Sequence, residues 1–145
     1  MPRIPIPVIL CGRTAAVGRP VSQLLLPDYE VIHFITSPES AHADLPVLLA
    51  GRDPQSATPN DIGTHNYSQP PRAVIFGRGF APDFVQGLRK AYADRSTEPV
   101  AWVAGDPAKV PTGVPGPGYA EETVNSLKGV LAGWRGEVDD DVLLY

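Results

Sequence analysis

The sequence predicts an α/β domain in which a short, mostly parallel sheet of four or five strands lies between two layers of helices. Short apolar runs alternate along the chain with amphipathic stretches of helical period. Alternating strands and helices favour a parallel sheet that is covered on both faces. A length of 145 residues also suits one domain of ordinary size. We therefore expect a single α/β domain over residues 1–145.

The predicted strands are short apolar runs, several of them rich in β-branched residues. They cover residues 6–11, 29–35, 73–76 and 99–103, and residues 142–145 form either a fifth strand or a packed tail. Right-handed crossovers allow few arrangements of such strands, and we expect the order 2-1-3-4. This order puts a switch point between the first and third strands, where open α/β sheets bind ligands.

Apolar stripes of helical period predict helices over residues 17–26, 82–93 and 120–135. The less regular segment 45–50 predicts only one or two helical turns.

The segments 52–72 and 105–118 are rich in residues that favour loops and predict irregular connections. A loop as long as 52–72 is unusual in a compact domain. The second segment is either a passive connection or a lid over a pocket.

Composition excludes several classes of partner. The net charge is -4, the sequence pI is about 5.2, and no dense Lys/Arg cluster offsets the acidity, so we expect no nucleic-acid partner. The apolar runs are far shorter than the ~20 residues that span a bilayer, and the N-terminus lacks the apolar core of a signal peptide. A single cysteine forms no internal disulfide, and the spacing of Cys and His predicts no metal site. We expect a cytoplasmic protein without a membrane contact.

The turn after the first strand has small residues at every third position. The stretch Gly12-Arg13-Thr14-Ala15-Ala16-Val17-Gly18 gives the pattern G-x-x-A-x-x-G. Over residues 6–36 the chain resembles Rossmann-fold NAD(P)-binding proteins, especially the extended and NmrA-like short-chain type. In that family the first small residue permits the turn, the second admits the pyrophosphate, and the third allows close helix–strand packing. The phosphate lies on N–H groups at the start of the helix.

The resemblance implies a cofactor and also departs from the family pattern. Thr36 and Ser37 follow the second strand, where the family has an acidic residue for the ribose. Arg13 suits a 2′-phosphate, so the resemblance implies NADP rather than NAD. The Tyr-x-x-x-Lys catalytic pair of short-chain enzymes is missing from the sequence. In the alternative interpretation, Gly12 and Gly18 serve only turn geometry and packing.

A second strand ends in the same way, with Gly77 and Arg78 after the apolar run. If the first and third strands are neighbours, Arg13 and Arg78 emerge side by side at the carboxyl end of the sheet. Two guanidinium groups beside a helix N-terminus would attract a phosphate or a carboxylate. In the alternative, each arginine pairs with a nearby carboxylate such as Asp83 or Asp106.

Other reactive side chains lack a catalytic spacing. We expect Cys11 to be a small core residue and His33 to be a hydrogen-bonded core or interface residue. We expect His42 and His65 in loops, with no partner at metal-ligand or catalytic-triad spacing. Tyr119 opens the last helix near the predicted site, where it either donates a proton or packs. Trp102 and Trp134 are expected in the core.

Two functions stay open from the sequence. One is a nucleotide-binding protein, such as a minimal NADP-dependent oxidoreductase that borrows substrate residues from a second subunit. The other is a non-catalytic interaction or homodimerisation module that has lost its cofactor. A homodimer through an edge strand or the last helix suits both. The sequence names no reaction and no substrate.

Overall fold

A computed structural model describes residues 5–52, 62–96, 99–106, 108, 118–134 and 142–145. Its strands form one five-stranded sheet and comprise β1 (Ile6–Cys11), β2 (Tyr29–Ile35), β3 (Ala73–Phe76), β4 (Ala101–Ala104) and β5 (Leu143–Leu144). The order is β2-β1-β3-β4-β5, and each neighbouring pair is parallel. This confirms the predicted fold class and strand order, with β5 as a further edge strand.

The described helices are α1 (Ala15–Leu25), α2 (Pro38–Leu49), α3 (Pro82–Tyr92) and α4 (Tyr119–Gly133), and a short 3₁₀ turn (Ala93–Arg95) follows α3. The prediction of only one or two turns at 45–50 was wrong, because α2 begins at Pro38. The Ser37 hydroxyl accepts the Ser40 N–H at 3.1 Å and caps the helix. The predicted end of the last helix, Arg135, lies outside the described residues.

Alternating side chains of the strands enter two separate cores. Val8 and Leu10 of β1 pack with α1 and α4 on one face of the sheet. Ile9 and Cys11 pack with α2 and α3 on the other face. The fold therefore has three layers, and β1 is buried on both sides, as a continuous apolar run predicts.

The described part of the predicted 52–72 loop covers the outer edge of β2. The Thr64 N–H donates to Val31 O and the His65 N–H donates to Ile32 O, each at 2.9 Å. These bonds occupy main-chain acceptors of an edge strand. Residues 53–61, and most of the segment 105–118 that was considered as a lid, lie outside the described residues.

Within the described ranges, every helix is too short or too polar to cross a lipid bilayer.

Candidate functional site

A cavity of about 280 Å³ opens at the carboxyl ends of β1 and β3. It lies on the face of the sheet that α1 and α4 cover. Its walls come from residues of these helices and from Phe34 of β2. Parallel strand order brings these segments together, because the turns after β1 and β3 leave the same edge of the sheet.

Most of the site residues predicted from the sequence line this cavity. They are Gly12, Arg13, Thr14, Gly18, Gly77 and Arg78. Ala15, Thr36 and Ser37 do not line it. Ala15 lies on the exposed first turn of α1, and the Ser37 side chain is occupied in capping α2.

The N-terminus of α1 presents free backbone donors beside the cavity. Thr14 is the N-cap, and its side chain makes no capping hydrogen bond. The Gly18 N–H donates to Thr14 O at 3.1 Å, so the N–H groups of Ala15, Ala16 and Val17 precede the first N–H that donates within the helix. The first turn holds no acidic residue. This end of the helix therefore favours an anion.

Gly18 lets α1 approach the sheet closely. A Cβ atom at Gly18 would lie 2.4 Å from two atoms of the Phe34 ring, and one at Gly12 would lie 3.1 Å from that ring. Real Cβ atoms do not come as close as the first distance. Both glycines of the turn therefore have a packing role, whether or not the turn binds a ligand.

Arg13 is directed toward the turn between β3 and α3. Its Nε donates to Gly79 O at 2.9 Å, and its guanidinium carbon lies 5.2 Å from the centroid of the Phe80 ring. Arg13 itself is exposed. Arg13 lines the cavity, whereas Thr36 and Ser37 do not.

Arg78 is buried, with 6% of its surface exposed. Its two terminal nitrogens donate to the Glu122 carboxylate at 2.8 and 3.3 Å. The carboxylate partner is thus Glu122 rather than Asp83 or Asp106. Gly105 makes room for this side chain, because a Cβ there would lie 2.4 Å from Arg78 Cγ.

Two tyrosines complete the surroundings of Arg78. Its guanidinium carbon lies 5.8 Å from the Tyr119 ring centroid and 4.9 Å from that of Tyr145. Burial opposes the charge of Arg78, but its hydrogen bonds to Glu122 and Tyr119 outweigh this effect and raise its pKa. Arg78 is therefore a permanent cation. The Tyr145 hydroxyl donates to Phe76 O at 2.9 Å.

Two polar atoms of the cavity wall have no hydrogen-bond partner among the described residues. They are Arg78 Nε and Thr123 Oγ1. Thr123 is 4% exposed. Buried polar atoms almost always have a partner, and an unsatisfied one costs about 1–3 kcal/mol. Both atoms can donate, so an acceptor would satisfy them.

Cys11 also lines the cavity and is fully buried. Burial, with a smaller contribution from the Asp44 charge, raises the pKa of its thiol. The thiol therefore stays protonated at neutral pH and is a poor nucleophile. This agrees with the predicted core role.

A buried polar chain on the opposite face was not predicted. His33 Nε2 lies 3.0 Å from Asp44 Oδ2, and His33 Nδ1 lies 2.9 Å from the Tyr67 hydroxyl. Because an ionised carboxylate only accepts, His33 Nε2 carries a proton and donates a hydrogen bond to Asp44. The predicted hydrogen-bonded role of His33 is confirmed. A histidine inside an apolar strand was the only signal, since nothing in the sequence identifies Asp44 or Tyr67 as its partners.

The prediction that His42 lies in a loop was wrong, whereas His65 lies in a loop as predicted. His42 lies in α2, and its Nδ1 is 2.7 Å from the Tyr92 hydroxyl. The His65 ring contacts the rings of His33 and Tyr67, each at 6.3 Å between centroids. In the described part of the chain, no group of three or more His, Cys, Asp or Glu side chains is placed to hold a metal ion.

Comparison with known proteins identifies a relative of this chain. Kojic acid related protein 6 from Aspergillus oryzae (strain ATCC 42149 / RIB 40) is 38% identical to this chain over 124 residues. The match covers 85% of this chain and 74% of that protein. No family model matches the chain, and no solved structure matches it. The extent and identity of the match show that the chain belongs to the same family as Kojic acid related protein 6.

Proposed function

We propose that the protein binds a small phosphate-bearing ligand at the carboxyl end of the sheet, with NADP as the first candidate. The phosphate would lie on the exposed N–H groups at the start of α1, and the remainder of the ligand would enter the cavity. The observation that carries this proposal is the pair of buried, unsatisfied donors, Arg78 Nε and Thr123 Oγ1, in a cavity that adjoins an open helix N-terminus.

Charge around the turn supports an anion. Arg13 is exposed at the cavity mouth, and the first turn of α1 has no acidic side chain to compete for its N–H groups. Phosphate is bound in this way at many helix N-termini, because the backbone donors and the helix dipole act together. The resemblance of residues 6–36 to the NAD(P)-binding turn supports the same arrangement.

NADP itself fits the residues only in part. The turn at Gly12–Thr14 suits a pyrophosphate. The cavity of about 280 Å³ is at the lower limit of typical ligand sites, about 300–1,000 Å³, so it holds one part of a dinucleotide at most. Arg13 is engaged with Gly79 rather than directed toward Thr36 and Ser37. Shorter phosphate-bearing ligands are therefore included in the test.

The test is thermal unfolding with and without millimolar NADP(H), NAD(H), ATP, FMN, coenzyme A and, because of the name of the relative, kojic acid. A ligand at 100 times its Kd stabilises the folded state by about 2.7 kcal/mol. In a domain of this size the expected rise in Tm is several degrees. A rise with a phosphate-bearing ligand supports the proposal, whereas a rise with kojic acid alone contradicts its phosphate part.

Matched variants at Thr14 locate the site. Asparagine and aspartate are equally good N-caps, so Thr14→Asn and Thr14→Asp both preserve the helix. Only Thr14→Asp adds a negative charge beside the proposed phosphate. Both new side chains compete for the same N–H groups, so we expect the ligand-induced rise in Tm to be reduced in Thr14→Asn and to be lost in Thr14→Asp. An unchanged rise in Thr14→Asp would place the ligand elsewhere.

The interaction-module alternative is decided by the same samples. If no ligand changes the Tm, the phosphate proposal fails, and the oligomeric state from sedimentation becomes the informative measurement. A stable homodimer would then favour the module that has lost its cofactor.

A further inference from the structure

The interior of the cavity carries a cation that is already neutralised. The side chain of Arg78 is 2% exposed, and its closest contact with Glu122 is 2.8 Å. Glu122 accepts hydrogen bonds from both terminal nitrogens of Arg78, and its own side chain is 54% exposed. A bidentate pair of this kind is a strong, charge-assisted contact. Of the guanidinium nitrogens, only Nε is left without a partner among the described residues.

A second anion in this cavity would lack compensation. A carboxylate that leaves water for a buried site loses several kcal/mol of solvation unless an opposite charge is free to pair with it. Glu122 already balances the charge of Arg78. An amide or ketone oxygen has a much smaller solvation loss, and it satisfies an N–H or O–H donor equally well.

The remaining polar groups of the wall also favour an uncharged acceptor. Thr123 Oγ1 is buried without a partner among the described residues and can donate one hydrogen bond. The Tyr145 hydroxyl already donates its hydrogen bond to Phe76 O. Leu10, Val17 and Leu127 make much of the rest of the lining apolar.

We propose that the cavity selects an apolar part of the ligand with an uncharged substituent that accepts hydrogen bonds, and that it discriminates against the corresponding carboxylate. The Arg78–Glu122 pair sets this preference. The inference rests on the proposed function, because it concerns the part of the ligand that enters the same cavity.

The test compares two aryl phosphates that differ in one group. 4-Carbamoylphenyl phosphate and 4-carboxyphenyl phosphate carry the same phosphate and ring, and their Kd values are measured by titration calorimetry. We expect the wild-type protein to bind the amide at least about tenfold more tightly than the acid. Equal binding, or tighter binding of the acid, would overturn the selectivity while leaving the phosphate proposal intact.

Glu122→Gln tests the residue that sets the preference. Glutamine keeps one acceptor for Arg78 and removes the negative charge, so the cation becomes available to the carboxylate ligand. We expect the tenfold preference for the amide to disappear or to reverse. Glu121→Gln is the matched control, because Glu121 is the exposed neighbour in the same turn of α4. Glu121→Gln should keep the wild-type preference, and an unchanged preference in Glu122→Gln would refute the role of the pair.

Ring compounds without phosphate separate the two proposals. Benzamide and benzoate are compared at millimolar concentration by ligand-observed NMR. If no phosphate-bearing compound binds, the nucleotides included, but benzamide binds in preference to benzoate, the phosphate proposal fails and the selectivity of the cavity stands. If neither pair binds, or benzoate is preferred, the inference is overturned.

Discussion

Gly18→Ala tests the packing that holds the start of α1 over the cavity. In an exposed helical position, alanine is favoured over glycine by about 1 kcal/mol. Gly18 is buried, and its new Cβ would lie 2.4 Å from Cε1 and Cζ of Phe34. Carbon atoms in contact prefer about 3.5–4.0 Å. The helix or the ring must therefore move by more than about 1 Å, a displacement on the scale of overpacking that costs about 1–3 kcal/mol.

We expect Gly18→Ala to lower the free energy of unfolding by up to about 2 kcal/mol after the intrinsic gain of alanine is subtracted from the packing cost. Gly87→Ala is the matched control. Gly87 is exposed in α3, and a Cβ there meets nothing within 4 Å. This variant should gain about 0.4–1 kcal/mol. Urea denaturation of the two variants and the wild type measures both changes.

A second background identifies the Phe34 ring as the cause. Phe34→Leu removes the aromatic atoms that the new methyl group would meet. The loss of stability caused by Gly18→Ala should be smaller in this background, because the effects of substitutions at residues in contact are not additive. The reasoning would be refuted if Gly18→Ala stabilised the protein as Gly87→Ala does. It would also be refuted if Gly18→Ala lowered the free energy of unfolding by the same amount with phenylalanine and with leucine at position 34.

Three further predictions concern buried polar groups. Asp44→Ala should lower stability by about 1–3 kcal/mol, because the buried His33 Nε2–H loses its acceptor; a change under about 0.5 kcal/mol in urea denaturation would contradict this. Tyr145→Phe should cost about 1 kcal/mol by leaving Phe76 O unpaired, again by denaturation, and an unchanged midpoint would argue against that bond. Folding raises the pKa of the Cys11 thiol. The stability that the buried, protonated thiol contributes is therefore complete below the thiol pKa of the unfolded chain, about 8.5, and is lost as the pH rises above that value. Wild-type stability should therefore fall above about pH 8.5 by more than that of Cys11→Ala, and equal pH profiles would contradict the assignment.

The strands and their order were predictable because their signals are local. A run such as Ile6–Cys11 is apolar throughout, and crossover handedness then limits the topology. Helix α2 was less predictable. Its buried residues Ala41, Leu45, Leu48 and Leu49 are interrupted by buried Asp44 and by Pro46, so no uninterrupted apolar stripe marks the start of the helix.

The electrostatic state of the site was not predictable, because it depends on contacts distant in sequence. Arg78 and Glu122 are separated by 44 positions, and His33 and Asp44 by 11. The sequence placed Arg78 correctly at the edge of the sheet. It had no signal that a glutamate of α4 would neutralise the guanidinium. Because of that pair, Arg78 is interpreted as a buried hydrogen-bond donor and no longer as a free cation that binds an anion.

The glycines of the first turn cannot decide between the two functions, because both functions require them. Gly18 has to be small beside Phe34 in a binding protein and in a degenerate module alike. The two cases differ in whether the N–H groups of Ala15, Ala16 and Val17 face water or a phosphate. The packing of the turn is the same in both cases, whereas a bound phosphate adds a negative charge beside these N–H groups. A substitution at Thr14 that alters charge and preserves the cap therefore separates the hypotheses, and loss of either glycine does not.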